Sequence, residues 1–346
     1  MSGNNRYYLL AAGLVVACGL LFLLALLGPG LFRILSGSIA PTPDFEATLQ
    51  ALVVEATASS VPATAQAPDV GGAPTGRIVY TCQIYKFQSA EQICLMNADG
   101  SDPRQLTEDA GVRHYYPSMG PEGDSVVYSQ YREDNVYEIY ELSLDGGTPT
   151  RLTDRLGVLT GPEISPDGSL IAFMRWTPAS NQYQIWLMDR DGGNPRRLFS
   201  GTGWDPTWSP DGKQVLFASD MGGTVQLHRV DIDGNNVVRI SDLPAIRGRS
   251  DWSAQNLITT YSGESWKREI YVMQADGSQA QQISPPGGNS QGPSFSPDGQ
   301  WIAFTAYFDR FDDIHGCEIY VMRRDGTDLR RLTNNEYCDY QPRWGP

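Results

Sequence analysis

One short phrase recurs along the chain and constrains the fold more than any other feature. An apolar or aromatic residue is followed by Ser-Pro-Asp-Gly or by a decayed form of it. The six copies begin at Met119, Ile164, Trp208, Trp252, Phe295 and Trp344. Successive copies start 45, 44, 44, 43 and 49 residues apart. A regular period of this length is typical of a four-stranded propeller blade, so the sequence predicts a repeat protein made of β-sheets.

Each repeat has the same order of elements. A short apolar run such as Leu170–Phe173 follows the phrase, and a second run such as Ile270–Met273 comes after a polar loop. An Asp-Gly pair then precedes a last short run, as in Arg331–Thr333. Asp-Gly suits a hairpin because Asp tolerates and Gly favours positive φ angles. The pattern predicts four antiparallel strands in each repeat.

The two ends of the repeat region complement each other. Gly76–Tyr80 begins at the second strand of a repeat, and Gln341–Trp344 supplies a first strand. Together they complete one unit, which leaves no free sheet edge at the seam. We therefore predict an all-β fold, a six-bladed β-propeller in which the N- and C-terminal strands close one blade.

These motifs resemble the TolB-type propeller repeat over about residues 76–346. The resemblance rests on Pro-x-Trp-Ser-Pro-Asp-Gly, Ile-Ala-Phe, Ile-Tyr-Val-Met, Asp-Gly and Arg-Leu-Thr. It implies the propeller fold. The periplasmic protein TolB also carries an α/β domain before its propeller, whereas an apolar segment and a linker occupy that place here. A role in the Tol–Pal envelope system is therefore not carried over.

An apolar N-terminal segment predicts a membrane anchor over residues 1–35. Tyr7–Leu27 contains no charged residue, and about 20 apolar residues span a bilayer as a helix. Arg6 before the span weakly favours an inside N-terminus, which places the rest of the chain outside the cytoplasm, in the periplasm or at the cell surface. Alternatives are a signal peptide cleaved after Ser38–Ala40 and a lipoprotein-like box at Cys18.

Residues 36–75 form a Pro/Ala/Thr-rich stretch that predicts a disordered, extended linker. The propeller is assigned to residues 76–346. The formal net charge of −14 disfavours binding to nucleic acid. We therefore expect a single-pass membrane protein whose propeller stands away from the bilayer.

Four cysteines lie in the propeller region, at Cys82, Cys94, Cys317 and Cys338. An even number of cysteines in an exported domain predicts disulfides. Strand order favours the pairs 82–94 and 317–338, because the members of each pair lie near each other in the predicted blade. A bond between Cys82 and Cys338, or four buried thiols, remain alternatives.

Signatures of catalysis and of cofactor binding are absent from the sequence. It contains no Gly-x-Ser-x-Gly elbow, zinc helix, phosphate loop or dinucleotide fingerprint. The Asp-Gly turns imitate part of a calcium loop but lack its distal glutamate. We therefore predict a protein that is not an enzyme, with no cofactor and no metal site.

Loops that depart from the repeat are the candidate binding residues. Variable loops on a rigid scaffold often carry function, and Tyr, Trp and Arg are common interface anchors. The candidates are His114, Tyr115, Tyr116, Trp204, Asp205, Trp266, Arg268, Tyr307, Asp309, Asp312, Asp313, His315 and Tyr337. They share the predicted face opposite the Asp-Gly turns, and the aromatic members could instead pack their own loops. This face predicts a scaffold for a protein, peptide or cell-wall ligand.

An enzyme is the alternative hypothesis. Paired carboxylates can divide the roles of acid and base in glycan cleavage. The suspects are Asp205, Asp309, Asp312 and Asp313, which would act at the channel mouth of a hydrolase or lyase on a glycan or peptide.

Overall fold

A computed structural model describes residues 72–84, 91–109, 111–246, 248–308 and 316–346. The predicted anchor at 1–35 and nearly all of the linker at 36–75 lie outside these residues, so both assignments stay predictions. Within the described ranges, no helix is long and apolar enough to cross a membrane.

The described chain forms 24 β-strands, which run in groups of four. The first group is β1 (Arg77–Gln83), β2 (Glu91–Asn97) and β3 (Arg104–Gln105), which β24 (Asp339–Gly345) completes. Next come β4 (His114–Met119), β5 (Ser125–Glu133), β6 (Val136–Ser143), β7 (Thr150–Arg151), β8 (Val158–Ile164), β9 (Leu170–Trp176), β10 (Gln184–Asp189) and β11 (Arg196–Arg197). Then follow β12 (Trp204–Trp208), β13 (Gln214–Ser219), β14 (Gln226–Asp231), β15 (Val238–Arg239), β16 (Asp251–Trp252), β17 (Leu257–Ser262), β18 (Glu269–Gln274) and β19 (Gln281–Gln282). The last group is β20 (Gln291–Phe295), β21 (Trp301–Ala306), β22 (Glu318–Arg323) and β23 (Arg330–Arg331).

The pairing of these strands gives four sheets of four strands and one sheet of eight. The eight-stranded sheet contains two groups, β4–β7 and β8–β11, and a parallel bridge between Tyr137 and Val158 joins them. In the first sheet β24 pairs antiparallel with β1, and Ile78 lies opposite Trp344. Strands from the two ends of the repeat region therefore share a sheet, as the sequence predicted.

The Ser-Pro-Asp-Gly phrase forms the turn between the first and second strands of a group. The Ser165 hydroxyl donates to Asp167 at 2.6 Å and accepts the backbone N–H of Leu170 at 2.9 Å. Ser296 repeats both bonds with Asp298 and with the Trp301 N–H. The polar members of the phrase thus fix the turn by local side-chain hydrogen bonds.

The Thr of the Arg-Leu-Thr motif ties the fourth strand to the third. The Thr333 hydroxyl donates to the Glu318 carboxylate at 2.6 Å and accepts the Ile319 N–H at 2.9 Å. Thr153 makes the same bridge with Glu138 and Ile139. These glutamates are buried, and the motif satisfies polar groups that would otherwise cost stability.

The hydrophobic core lies between neighbouring groups. Each of six apolar clusters joins one group to the next. In one of them Ile78 and Tyr80 of β1 pack with Trp301 and Ala303 of β21, which links the first group to the last. The groups therefore surround a common axis, and the described strands form an all-β propeller.

Both favoured disulfides are present. Cys82 is bonded to Cys94 across the β1–β2 hairpin, with Cα atoms 5.8 Å apart. Cys317 is bonded to Cys338, with Cα atoms 4.6 Å apart. The alternative bond between Cys82 and Cys338 and the alternative of free thiols are therefore wrong.

Candidate functional site

A bulge at a fixed position marks the innermost strand of most groups. It lies three residues before the large apolar residue that begins the repeated phrase. The six equivalent positions are Tyr116, Gly161, Asp205, Arg249, Gly292 and Gln341. All except Arg249 have φ between 52° and 62°, and the strand register shifts at each of those five. A bulge re-aims a side chain, so these positions form a ring of equivalent sites around the axis.

Two adjoining cavities lie at this ring. The larger, about 690 Å³, is rich in aromatic side chains. Its walls include Tyr115, Tyr116, Tyr137, Tyr183, Trp204, Asp205, Tyr340 and Gln341. The smaller, about 310 Å³, shares Tyr116, Asp205, Tyr340 and Gln341 and adds Arg249, Tyr261, Tyr307 and Cys338. The cavities are large enough for a side chain or a small ligand.

A buried ionic network lies beside the smaller cavity. The Glu163 carboxylate accepts from Arg343 Nε at 2.6 Å and from the Ser118 hydroxyl at 2.7 Å. Its Oε1 also lies 3.5 Å from Arg249 Nη2. The three charged side chains are between 5% and 10% exposed. Charges this deeply buried are stable in a protein only when they are paired.

The two arginines also connect the inner strands of different groups. Arg249 Nη2 donates to the Pro117 carbonyl at 2.7 Å, and its Nη1 to the Gln341 carbonyl at 3.3 Å. Arg343 Nη2 donates to the Ser250 carbonyl at 3.0 Å. Burial, together with the Arg343 cation, lowers the pKa of Arg249 to about 10, so its guanidinium is still charged at neutral pH. The network thus joins the inner strands of different groups around the axis.

Asp205 is the carboxylate of both cavities. Its Oδ2 accepts the backbone N–H of Arg249 at 3.0 Å, whereas its buried Oδ1 has no hydrogen-bond partner. Burial raises the pKa of Asp205, and the Arg249 cation opposes that rise. A Cβ at Gly248 would lie 2.1 Å from Oδ2, so the close approach of this carboxylate requires glycine at that position. One buried oxygen of this carboxyl group therefore lacks a hydrogen-bond partner.

Five of the predicted binding residues lie at these cavities. Tyr115, Tyr116, Trp204 and Asp205 line the larger cavity, and Tyr307 lines the smaller. The structure therefore brings together residues that are as far as 192 positions apart in the sequence. Their role in binding stays a prediction.

Two further candidates stand at the rim. Trp266 is 39% exposed and meets the Tyr307 ring edge-on, with centroids 5.2 Å apart. Arg268 Nη1 donates to Gln291 Oε1 at 2.7 Å, and Gln291 lines the smaller cavity. The loop before β18 thus lies next to the second cavity.

Of the remaining candidates, the two that the structure describes lie apart from the cavity walls. His114 is 2% exposed, begins β4 rather than lying in a loop, and packs 5.5 Å from the Tyr128 ring. Tyr337 is half-buried and belongs to neither cavity wall. Asp309, Asp312, Asp313 and His315 lie outside the described residues.

Sequence reasoning did not identify several wall and network residues. They are Glu163, Arg249, Arg343, Tyr183, Tyr340 and Gln341. Four of them could have been found from the repeat itself, since Arg249 and Gln341 occupy the bulge position and Glu163 and Arg343 lie two residues after it. Among the residues that the structure describes, no three His, Cys, Asp or Glu side chains cluster as a metal site would require.

Comparison with known sequences gives a family match and several relatives. A family model described as the TolB beta propeller domain matches residues 69–257. An uncharacterized protein of Agrobacterium fabrum, Atu1656, is 29% identical over 69% of this chain and 70% of its own length. The TolB homologue of Chlorobium chlorochromatii is 26% identical over 53% of this chain and 31% of its own length. The uncharacterized peptidase YuxL of Bacillus subtilis is 27% identical over 34% of this chain and 24% of its own length. The match therefore spans about a quarter to a third of the length of YuxL and of the Chlorobium protein.

Solved structures share the fold. TolB from Acinetobacter baumannii superposes with a TM-score of 0.70 at 23% identity, covering 81% of this chain and 69% of that one. A protein described as putative TolB from Agrobacterium tumefaciens superposes with a TM-score of 0.58 at 21% identity, covering 80% of this chain and 100% of that one. Puromycin hydrolase superposes with a TM-score of 0.51 at 16% identity, covering 77% of this chain and 46% of that one. At these identities the likeness concerns the fold alone.

Proposed function

The chain belongs to the family of TolB β-propeller domains, and from that premise we propose that it is a binding scaffold of the cell envelope. Its ligand would be a protein, a peptide or a cell-wall component, held at the cavity end of the propeller axis. The observation that carries the proposal is the aromatic cavity of about 690 Å³ at the bulged ring. Aromatic walls with a few polar groups are typical of binding sites.

The proposed scaffold has six blades. The eight-stranded sheet divides into two groups of four strands that share one parallel bridge. Gly100 and Gly192 support this count, because each Asp-Gly turn approaches the last strand of the preceding group, at Leu332 and Leu152 respectively. Six groups with six apolar clusters between them would make a closed ring.

The proposed location is outside the cytoplasm, with residues 1–35 as a membrane anchor and residues 36–75 as a linker. Two disulfides support an oxidising compartment. The uncharged stretch Tyr7–Leu27 supports a membrane span. Protease digestion of intact cells or spheroplasts would test this arrangement, since a cytoplasmic propeller would be protected until the membrane is opened.

Crosslinking in intact membranes, followed by purification, tests the scaffold. The variant carries Trp204→Ala and Tyr307→Ala at the cavities, and the control carries Leu329→Ser. Leu329 is 38% exposed and follows an Asp-Gly turn, on the opposite face of the predicted blade. A specific crosslink that the cavity variant loses and the control keeps would support the scaffold. Crosslinks that are the same in all three proteins would refute it.

A hydrolase remains the second candidate function. The peptidase name of YuxL and the likeness to puromycin hydrolase motivate it, as does a buried carboxyl, Asp205, whose raised pKa suits an acid catalyst. Purified protein would be incubated with peptide and glycan libraries beside Asp205→Asn. Product formation that the variant abolishes would favour the enzyme, and its absence from both proteins would remove this reading for the substrates tested.

A further inference from the structure

We propose that the larger cavity binds an organic cation, the ammonium or guanidinium group of a basic side chain on a peptide. This inference rests on the proposed binding function and narrows its ligand. It follows from the aromatic walls, from the buried, unpartnered oxygen of Asp205 and from the charged groups around the cavity.

The aromatic walls suit a cation better than an anion. Five tyrosines and one tryptophan line the larger cavity, and the electron-rich faces of such rings attract cations. Tyr116 already makes such a contact, because the guanidinium carbon of Arg249 lies 5.5 Å from the centre of its ring. Tyr183, which is 38% exposed, offers a further ring that a ligand can reach.

Asp205 supplies the complementary charge. Its Oδ1 is buried without a hydrogen-bond partner, and leaving a buried acceptor unpaired is unfavourable. An ammonium or guanidinium has several N–H donors and no acceptor, so it can satisfy this oxygen. A ligand of this kind would remove the cost and add a charge-assisted hydrogen bond.

The charges around the ring leave room for one more cation. Three carboxyl groups, those of Glu163, Asp205 and Asp251, face two guanidiniums, those of Arg249 and Arg343. Asp251 is satisfied by neutral donors, namely the Ser294 hydroxyl at 3.0 Å and the Phe295 N–H at 2.7 Å. Asp205 is therefore the carboxyl group among the three with an oxygen that lacks a partner, and a cation bound in the cavity would favour its ionised form.

A metal ion fits this site less well. Calcium requires about six oxygen ligands, and Asp205 is the one carboxylate among the wall residues that the structure describes. Aromatic rings cannot replace the missing oxygens, whereas they do favour a polarisable, weakly hydrated organic cation.

Calorimetry on the purified full-length protein tests the proposal with defined probes. Acetyl-glycyl-lysyl-glycine amide is compared with the same peptide carrying norleucine, which has no charge, and with free pentylammonium and calcium chloride. The variants are Asp205→Asn and Tyr183→Leu. Asn retains the size of Asp and its tolerance of positive φ, which Asp205 adopts at 52°. Asp242→Asn is the control, since its side chain is 95% exposed and already pairs with Arg239.

We expect the lysine peptide to bind at least about tenfold more tightly than the norleucine peptide and than pentylammonium. Asp205→Asn should remove that preference, Tyr183→Leu should weaken it, and Asp242→Asn should keep it. Equal binding of the two peptides, no binding of either, or a preference that survives Asp205→Asn would overturn the proposal. Equally tight binding of pentylammonium would overturn its peptide part. Calcium binding that depends on Asp205 would replace it with a metal site.

These results separate the inference from the function on which it rests. If the lysine peptide fails but the membrane crosslink still depends on Trp204 and Tyr307, the scaffold stands and its ligand is not a basic peptide. If the crosslinks are also the same in the native protein, the cavity variant and the Leu329→Ser control, the scaffold itself is refuted.

Discussion

Gly192 offers a sharp test of how the repeats contact one another. It adopts φ of +88°, and a Cβ there would lie 2.0 Å from the Leu152 carbonyl oxygen in the preceding group. Gly146 follows Asp in the equivalent turn of that group and has φ of +107°, but nothing lies within 4 Å of its Cβ position. Replacing each glycine by alanine therefore imposes backbone strain at both sites and a steric clash at one.

The magnitudes follow from these two terms. A left-handed backbone costs an alanine about 1–2 kcal/mol, partly offset by about 0.4–1 kcal/mol from the stiffer unfolded chain. Forcing extra atoms into a packed contact adds about 1–3 kcal/mol. We expect Gly146→Ala to lower the free energy of unfolding by about 0–1.6 kcal/mol, and Gly192→Ala to lower it by about 1–3 kcal/mol more.

Urea unfolding of the purified protein, followed by tryptophan fluorescence, measures both values. The difference between the two variants isolates the contact between the groups, because both glycines occupy Asp-Gly turns with positive φ. Equal losses of stability in Gly146→Ala and Gly192→Ala would refute the close approach of the turn to Leu152. Such a result would also remove one of the arguments for six blades.

Three further predictions concern buried polar groups. Glu163→Gln should lower the unfolding free energy by about 3–5 kcal/mol in urea titrations, because it leaves two buried guanidiniums without their carboxylate; a loss below about 1 kcal/mol would contradict the network. Thr333→Val should cost about 1–3 kcal/mol in the same assay, since the buried Glu318 carboxylate and the Ile319 N–H both lose a partner. Burial raises the pKa of Asp339 from 3.8 to about 7, so the folded protein favours the protonated acid. That contribution is present below about pH 4 and is lost as pH rises through about 7; thermal unfolding of Asp339→Asn should show a smaller decline over this range than the native protein.

The sequence predicted the fold well wherever local chemistry repeats. The turns of Ser165 and Ser296 use hydrogen bonds within five residues, and such short-range patterns are visible in the sequence. The disulfides followed from strand order for the same reason. The ionic network of Glu163 with Arg343 was not predicted, because it joins residues 180 positions apart and no local pattern indicates which charge meets which.

The candidate site was predicted in part. Tyr116 and Asp205 stood out as departures from the repeat, and the bulged inner strands place both at the cavities. His114 stood out equally but belongs to β4 and is turned into the core against Tyr128. A neighbouring pair such as His114 and Tyr115 has opposite orientations in a strand, and composition alone cannot tell which member faces the cavity.

The residue types at one recurring position explain why this site is asymmetric on a scaffold of similar repeats. One equivalent position recurs in every group, yet it holds an aromatic residue at 116, a carboxylate at 205, a cation at 249, an amide at 341 and glycine at the other two. The glycines leave space at their positions. Asp205 and Arg249 lie in consecutive groups, and the backbone N–H of Arg249 donates a hydrogen bond to Asp205. The large cavity therefore lies beside a single acidic group, one oxygen of which is buried without a hydrogen-bond partner. The residue type at this position thus differs from group to group while the fold stays the same, so relatives that share the fold need not share a ligand.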